Sequence, residues 1–280
     1  MVRIFIDSAA DFESDELKRM NITCIPISVY FGDEEYLENI NLTKRRFYEL
    51  LASKNEFPNT SQPSPYAFES VLEKAKNDGD EAIIITISSA LSGTFQGAVS
   101  AKTSLNYDDC YVIDSRTASG GERILAEQAA KMRDEGKKAY EIAGFLSDLR
   151  SKITLYACMD TLEYLYRGGR ISHSAYTVGS VAHIKPILSV LQDGCAYIPA
   201  KTLGMKRGME YIYKRLKSEA PDYRFPIYIM YSCNRKNGQI FAKYLDKHGI
   251  TVPEDSIINV GAVIGSHIGP DACGIVYVKA

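Results

Sequence analysis

Residues 82–98 constrain the fold more than any other part of the chain, because a strand, a turn and a helix signal follow one another directly. Residues 82–87 are almost wholly apolar and β-branched, which is typical of a strand covered on both faces of a parallel sheet. A helix is predicted from about residue 95 to residue 101. The turn between them contains Ser88, Ser89, Ser92, Gly93 and Thr94.

This turn also predicts an anion-binding site. A helix N-terminus exposes unpaired N–H groups and the positive end of the helix dipole. Nearby hydroxyl groups add donors for a carboxylate or a phosphate. A single serine at this place is more often only a helix cap. Four hydroxyl side chains together with a glycine favour the anion site.

Composition limits the classes of function. The chain has 280 residues, of which 45% are hydrophobic and 24% are charged, as is usual for a globular protein. The formal net charge of −2 gives no electrostatic case for binding nucleic acid. No apolar run has the length of a membrane span, and the N-terminus does not read as a signal peptide. We therefore expect a cytoplasmic protein without a membrane span.

The six cysteines are scattered through the chain without paired spacing. Cys110, Cys158 and Cys273 lie beside apolar, strand-like residues and are expected to be buried, reduced thiols. A metal site built from Asp7, Asp11 and Asp114 has neither a histidine nor the spacing of a calcium loop. We expect no bound metal ion.

The two halves of the chain differ in their pattern of predicted strands and helices. Alternating strands and helices predict an α/β domain with a parallel sheet over residues 1–154, in which residues 23–31 form one strand. Hairpin signals mixed with helices predict a second, α+β domain with a mixed or antiparallel sheet over residues 155–280. Asp193-Gly194 is the strongest hairpin signal. No proline- or serine-rich linker separates the halves, so the domains should pack closely.

Two of the strands predicted in the first half end in Asp-Ser pairs, Asp7-Ser8 and Asp114-Ser115. Doubly wound sheets bind ligands at this edge, but the same residues are also good helix caps. Residues 60–63 precede a predicted helix with proline near its start, which is consistent with a simple capping segment.

Arg170 and His267 are the unusual residues of the second half. Arg170 follows Gly168-Gly169, and its planar guanidinium suits a phosphate or a carboxylate; the alternative is an exposed arginine after a helix C-cap. His267 is expected in a loop after a strand over residues 256–263, where glycines let the backbone approach a ligand. A histidine that only makes structural hydrogen bonds is the alternative. The other histidines are expected to be structural or solvated: His173, His183 and His248. A short helix is predicted over residues 175–182.

The common nucleotide, phosphate and hydrolase motifs are absent, since the chain has no GxGxxG, GxxxxGK[ST], GxSxG or HExxH. Ser92 with His267 still leaves a serine hydrolase or acyltransferase open. The predicted helix N-terminus with Arg170 leaves a phosphate- or nucleotide-binding enzyme open.

Seven segments occur in a specific order: DSAAD at 7–11, TSQPSP at 60–65, ISSALSGTFQ at 87–96, DS at 114–115, residues 162–172 ending in GGRIS, KPIL at 185–188, and GSHIGP at 265–270. Each is weak alone, but in this order and spacing they are highly specific. With them the chain resembles the DegV family of bacterial fatty-acid-binding proteins along almost its whole length.

The resemblance implies a two-domain protein, not an enzyme and without a cofactor, that buries one long-chain fatty acid such as palmitate, stearate or oleate between its domains. It also implies which residues bind the carboxylate: Thr60, Ser61, Ser92, Gly93, Thr94 and His267.

Some family members present the bound acid to a fatty-acid kinase, which phosphorylates the carboxylate. The resemblance therefore implies a role in partner binding or phosphotransfer for Arg170 and Arg207. This chain departs from the family pattern at Leu203, where relatives usually carry a basic residue in the strand after the Asp-Gly hairpin. Lys206 and Arg207 follow directly and are the candidates to replace it.

Overall fold

A computed structural model describes residues 1–54, 56–177 and 184–280. The strands are β1 (Val2–Asp7), β2 (Ile22–Ile25), β3 (Ser28–Phe31), β4 (Glu34–Leu37), β5 (Asn59–Ser61), β6 (Glu81–Thr86), β7 (Cys110–Asp114), β8 (Ile153–Cys158), β9 (Ile184–Val190), β10 (Ala196–Leu203), β11 (Tyr228–Tyr231), β12 (Ile257–Asn259) and β13 (Cys273–Val278). The helices are α1 (Ser14–Arg19), α2 (Lys44–Ser53), α3 (Pro65–Asn77), α4 (Thr94–Ser104), α5 (Gly120–Asp134), α6 (Ala139–Leu149), α7 (Glu163–Arg167), α8 (His173–Thr177), α9 (Met205–Glu219), α10 (Arg235–Asp246) and α11 (Ala262–Ile268).

The first sheet is parallel, with the strand order β2-β1-β6-β7, which confirms the predicted architecture of the first half. The three isoleucines of β6 are fully buried on both faces. Ile83 and Ile85 pack with residues of α5 and α6, whereas Ile84 packs with residues of α3 and α4. The β-branched run therefore forms the two-sided strand that its composition predicts.

The second sheet is mixed, as predicted, with the order β10-β9-β8-β13-β11-β12. The hairpin of β9 and β10 forms around Asp193-Gly194. β11 and β12 are parallel, and the other neighbours are antiparallel. One face packs against α9 and α10, and the other joins a core shared with the first half. The predicted division between residues 154 and 155 falls inside β8, after its second residue, and stays a prediction.

The prediction of one strand over residues 23–31 is wrong. The segment forms β2 in the first sheet and β3 in a third, antiparallel sheet with the order β4-β3-β5. Pro26 has no N–H for a strand ladder. The next N–H, of Ile27, donates to the Ser8 hydroxyl at 3.0 Å. Strand pairing therefore stops here and resumes in another sheet.

The predictions of a strand through residue 263 and of a loop around His267 are also wrong. The strand β12 ends at Asn259, and His267 lies in the last turn of α11. The N–H groups of Ala262 and Val263, at the start of α11, donate to the Glu38 side chain. This cap comes from 224 positions away, so no local signal marks the helix.

The structure also bears on the predictions for the cysteines, for a helix over residues 175–182 and for membrane-spanning segments. Cys110, Cys158 and Cys273 are buried and free, as predicted. The helix predicted over residues 175–182 is described only to Thr177, as α8, and its remainder and His183 lie outside the described residues. Within residues 1–54, 56–177 and 184–280, the helices are too short or too polar to cross a bilayer.

Candidate ligand-binding site

A cavity is lined by residues from both halves of the chain. Its wall is largely aliphatic, which is typical of a site for an apolar ligand. The larger apolar side chains in the wall are Ile27, Ile87, Leu91, Leu155, Leu165, Leu188, Val190, Met230, Val260, Val263, Ile264 and Ile268.

Four of the residues selected from the sequence line this cavity, and we call Thr60, Ser92, Arg170 and His267 the polar cluster. Thr60 Oγ1 and His267 Nε2 are hydrogen-bonded at 2.8 Å. Arg170 Nε donates to the carbonyl of Leu91, directly before Ser92, at 3.0 Å. The structure therefore brings together four segments that are far apart in the sequence.

Thr60 reaches the cavity through the pairing of β5 with β3, in which it lies opposite Val29. Successive side chains of a strand point to opposite faces, so Ser61 points away from the face of Thr60. Ser61 is exposed and does not line the cavity. The placement therefore separates two residues that the resemblance groups together.

The Ser92 turn is built as a local network in front of α4. Ser92 Oγ lies 2.8 Å from Thr94 Oγ1, and the Thr94 N–H donates to Ser92 Oγ at 3.3 Å. A Cβ atom at Gly93 would lie only 1.7 Å from Gln62 Oε1, so the glycine allows the segment after Thr60 to pack here. Gly93 and Thr94 shape the turn but are not in the cavity wall, whereas Gln62 is.

His267 is neutral at pH 7. Burial, followed by the positive charge of Arg170, lowers its pKa to about 3. Its Nδ1 atom is buried and has no hydrogen-bond partner among the described residues. A Cβ atom at Gly168 would lie 2.3 Å from this nitrogen, so α7 ends in direct contact with the ring. A neutral imidazole offers one N–H donor and one acceptor nitrogen to its surroundings.

Arg170 also lines a second, more open groove beside the cavity, together with Ser172, Tyr197 and Lys201. Burial lowers its pKa from the usual value, but an arginine stays charged in proteins. Arg207 has a different position: it is exposed on α9 and lines neither space. The structure therefore brings one of the two arginines selected from the sequence to the site.

The hydrogen bonds do not favour the serine hydrolase alternative. A serine nucleophile needs a base within hydrogen-bond reach of its hydroxyl. The described bond of Ser92 Oγ goes to Thr94, and that of His267 Nε2 goes to Thr60. The geometry thus supports ligand binding by hydroxyl groups.

The strand-end aspartates accept hydrogen bonds from backbone N–H groups, some of them far away in the sequence. Asp7 accepts hydrogen bonds from the N–H groups of Ala9 and Ile87, at 2.9 and 2.8 Å. Asp114 accepts from the N–H groups of Ser89 and Arg116, both at 3.0 Å. In the described ranges no three His, Cys, Asp or Glu side chains are grouped so as to hold a metal ion.

Ser119 and Ser232 also line the cavity, although neither was selected from the sequence. Ser232 follows β11 directly, and this is the same strand-end signal that selected Asp7 and Asp114. Ser119 has a positive φ of 54°, and its hydroxyl donates to Asp11. No local pattern reveals that contact.

Comparisons with known proteins agree with the resemblance to the DegV family that the order of the sequence motifs indicates. A family model described as "Uncharacterised protein, DegV family" matches residues 1–280. A DegV domain-containing protein of Clostridium perfringens is 32% identical over 274 residues, which are 95% of this chain and 93% of that protein. A solved fatty-acid-binding DegV family protein of Thermus thermophilus is 26% identical with a TM-score of 0.88, and the match covers 100% of this chain and 99% of that one. DegV of Bacillus subtilis, a fatty acid binding protein, is 26% identical with a TM-score of 0.84 and the same coverage.

Proposed function

The chain belongs to the DegV family, and from this premise we propose that it binds one long-chain fatty acid in the cavity, without a cofactor. The main support for this proposal is that one cavity combines a largely aliphatic wall with the polar cluster. The similar proteins of Thermus thermophilus and Bacillus subtilis, which bind fatty acids, support it.

The aliphatic wall provides most of the affinity for such a ligand. Each methylene transferred from water to an apolar site contributes about 0.8 kcal/mol. A chain of palmitate length therefore gains several kcal/mol from contact with residues such as Leu155, Leu188 and Val263. Chains too short to fill the wall should bind more weakly.

The polar cluster can supply the hydrogen bonds and the positive charge that a buried carboxylate requires. A carboxylate taken from water must regain hydrogen bonds, because its unpaired burial costs several kcal/mol or more. The Thr60 hydroxyl can accept from His267 Nε2–H and donate its own proton to the ligand. Ser92 supplies a second hydroxyl donor, and Arg170 supplies a positive charge close to both.

Mass spectrometry of an organic extract of the purified, denatured protein tests this proposal. We expect about one long-chain fatty acid per chain. An extract without fatty acid, together with no binding when palmitate or oleate is added, would contradict it.

We further propose that the protein is a cytoplasmic carrier that presents the acid to a fatty-acid kinase. The specific observation is the position of Arg170, which lines both the cavity and the open groove that a partner could reach. Its free cysteines are consistent with a reducing compartment. The exposed Leu203, where relatives usually carry a basic residue, leaves Arg170 as the arginine best placed for this role.

A further inference from the structure

Two carboxyl groups from the first half of the chain converge on the N-terminus of α11. The N–H of Gly261 donates to Asp11 Oδ1 at 2.7 Å. The N–H groups of Ala262 and Val263 donate to the two oxygens of Glu38, the second at 3.3 Å. Both side chains are almost fully buried. We call Asp11 and Glu38 the clamp.

The clamp supplies partners that α11 needs. The first N–H groups of any helix have no acceptor within the helix itself. In α11 these groups are buried, so without the clamp their desolvation would be uncompensated. A helix this short also has few hydrogen bonds of its own, and its position depends on such outside contacts.

Gly261 shows how closely the clamp approaches the backbone. A Cβ atom at this position would lie 2.0 Å from Glu38 Oε1 and 3.0 Å from Asp11 Oδ1. Any larger residue would push the carboxyl groups away from the helix. The φ of Gly261 is −80°, so close approach, and not backbone strain, accounts for the glycine.

The other end of α11 carries His267, which is hydrogen-bonded to Thr60. Asp11 also accepts a hydrogen bond from the hydroxyl of Ser119, in the cavity wall. The clamp is thus connected to the polar cluster through a single short helix and to the wall through one side chain.

We propose that Asp11 and Glu38 are positioning residues for the carboxylate site, because they fix the helix that places His267 against Thr60. The inference rests on the proposed function, since it takes a fatty-acid carboxylate as the group that the Thr60–His267 pair binds. Neither clamp residue lines the cavity; both contact α11, and Asp11 also contacts Ser119 in the wall.

The test compares two ligands with the same chain, palmitate and 1-hexadecanol, of which only palmitate has a carboxylate. In Glu38→Gln one acceptor oxygen is replaced by an NH₂ group that faces a helix N–H. We expect palmitate to bind about tenfold more weakly, because its carboxylate should lose one hydrogen bond from the displaced Thr60–His267 pair. The affinity for 1-hexadecanol should be unchanged. In NMR spectra, the resonances of the His267 imidazole nitrogens should shift toward the positions that they have in the Thr60→Val variant, which lacks the hydroxyl partner of His267.

Two controls and a second variant accompany this measurement. Glu219→Gln alters another largely buried carboxyl group, which accepts from Tyr156 and Tyr277 and lies outside the cavity wall. It should leave the ratio of the two affinities and the His267 signal unchanged. Gly261→Ala disturbs the clamp without changing a carboxyl group and carries the test if Glu38→Gln does not fold. Gly144→Ala is its control, since nothing lies within 4 Å of the added Cβ atom.

Equal weakening of both ligands in Glu38→Gln and Gly261→Ala would overturn the inference, because the clamp would then only stabilise the fold. An unmoved His267 signal in these variants would overturn it as well. If the wild-type protein binds neither ligand, the proposed function fails. The His267 signal then decides alone: movement in Glu38→Gln but not in Glu219→Gln supports the clamp, and the absence of movement overturns it.

Discussion

Thr60 and His267 are 207 positions apart in the sequence, and their Oγ1 and Nε2 atoms are hydrogen-bonded at 2.8 Å in the wall of an aliphatic cavity. The bond joins the short strand β5 of the first half to α11 of the second. Because His267 is neutral, the pair can bind an anion only by donating hydrogen bonds to it, and the nearby positive charge is that of Arg170. The site is therefore suited to a carboxylate attached to an apolar chain.

Loss of either hydroxyl of the polar cluster should weaken fatty-acid binding. Thr60→Val and Ser92→Ala each remove a donor to the carboxylate. A hydrogen bond to a charged group contributes about 1.5–3 kcal/mol, and we expect losses of this size in titrations with palmitate or oleate. Ser61→Ala is the matched control, because Ser61 is exposed on the opposite face of β5. Unchanged affinity in both variants, with the fold intact, would place the carboxylate elsewhere.

Gly168→Ala should weaken binding of the acid through His267. The new Cβ atom would lie 2.3 Å from His267 Nδ1 and 3.1 Å from the carbonyl of Tyr164, so the ring has to move. Overpacking of this kind costs about 1–3 kcal/mol, and here it also disturbs the bond to Thr60. Palmitate titration and thermal unfolding measure the two effects, with Gly144→Ala as a control in open space. Wild-type affinity in Gly168→Ala would show that the position of the ring is not important.

Much of the fold follows from signals that are local in the sequence. The apolar run of β6, the turn and α4 are adjacent, so their pattern already contains the unit that forms. The hairpin of β9 and β10 is likewise encoded by Asp193-Gly194 between two apolar runs. In both places the residues that decide the structure are neighbours in the chain.

The parts that could not be predicted depend on distant residues. The cap of α11 comes from Asp11 and Glu38, which are 250 and 224 positions away from the N–H groups they accept. The cavity wall is built from side chains such as Leu155 and Val263, which in a sequence are indistinguishable from ordinary core. Motif resemblance selected Thr60 and His267, but only the fold shows that they touch.

The stability of the protein should fall as the pH rises from about 5 to 8, in part through Glu38. Burial, followed by the nearby charge of Asp11, raises the pKa of Glu38 to about 8 from its usual value of 4.5. In this window the folded state holds a proton that the unfolded state releases, and each such proton lowers stability by about 1.4 kcal/mol per pH unit. Glu38→Gln has no proton to lose.

Urea unfolding at a series of pH values measures this contribution. The free energy of unfolding of Glu38→Gln should depend less steeply on pH than that of the wild-type protein. Asp7 and Asp11 are also buried, with pKa values raised to about 7 and about 6, so part of the slope should remain. Identical slopes in both proteins would contradict the assignment to Glu38.

Arg170→Ala should lower phosphorylation of the bound acid more than it lowers binding. Arg170 lines both the cavity and the open groove, so its guanidinium can contact a phosphoryl group that enters through the groove. The variant loses both the positive charge in the polar cluster and the bond to the Leu91 carbonyl, so lipid affinity should fall, but the hydroxyls of Thr60 and Ser92 remain to hold the carboxylate. The paired measurement is palmitate affinity by titration and acyl-phosphate formation with ATP and a fatty-acid kinase from the same organism.

Arg167→Ala is the control, because Arg167 is exposed, pairs with Glu163 and lines neither space. If Arg170→Ala abolishes lipid binding while turnover per bound lipid stays normal, Arg170 belongs to the carboxylate site and not to phosphotransfer.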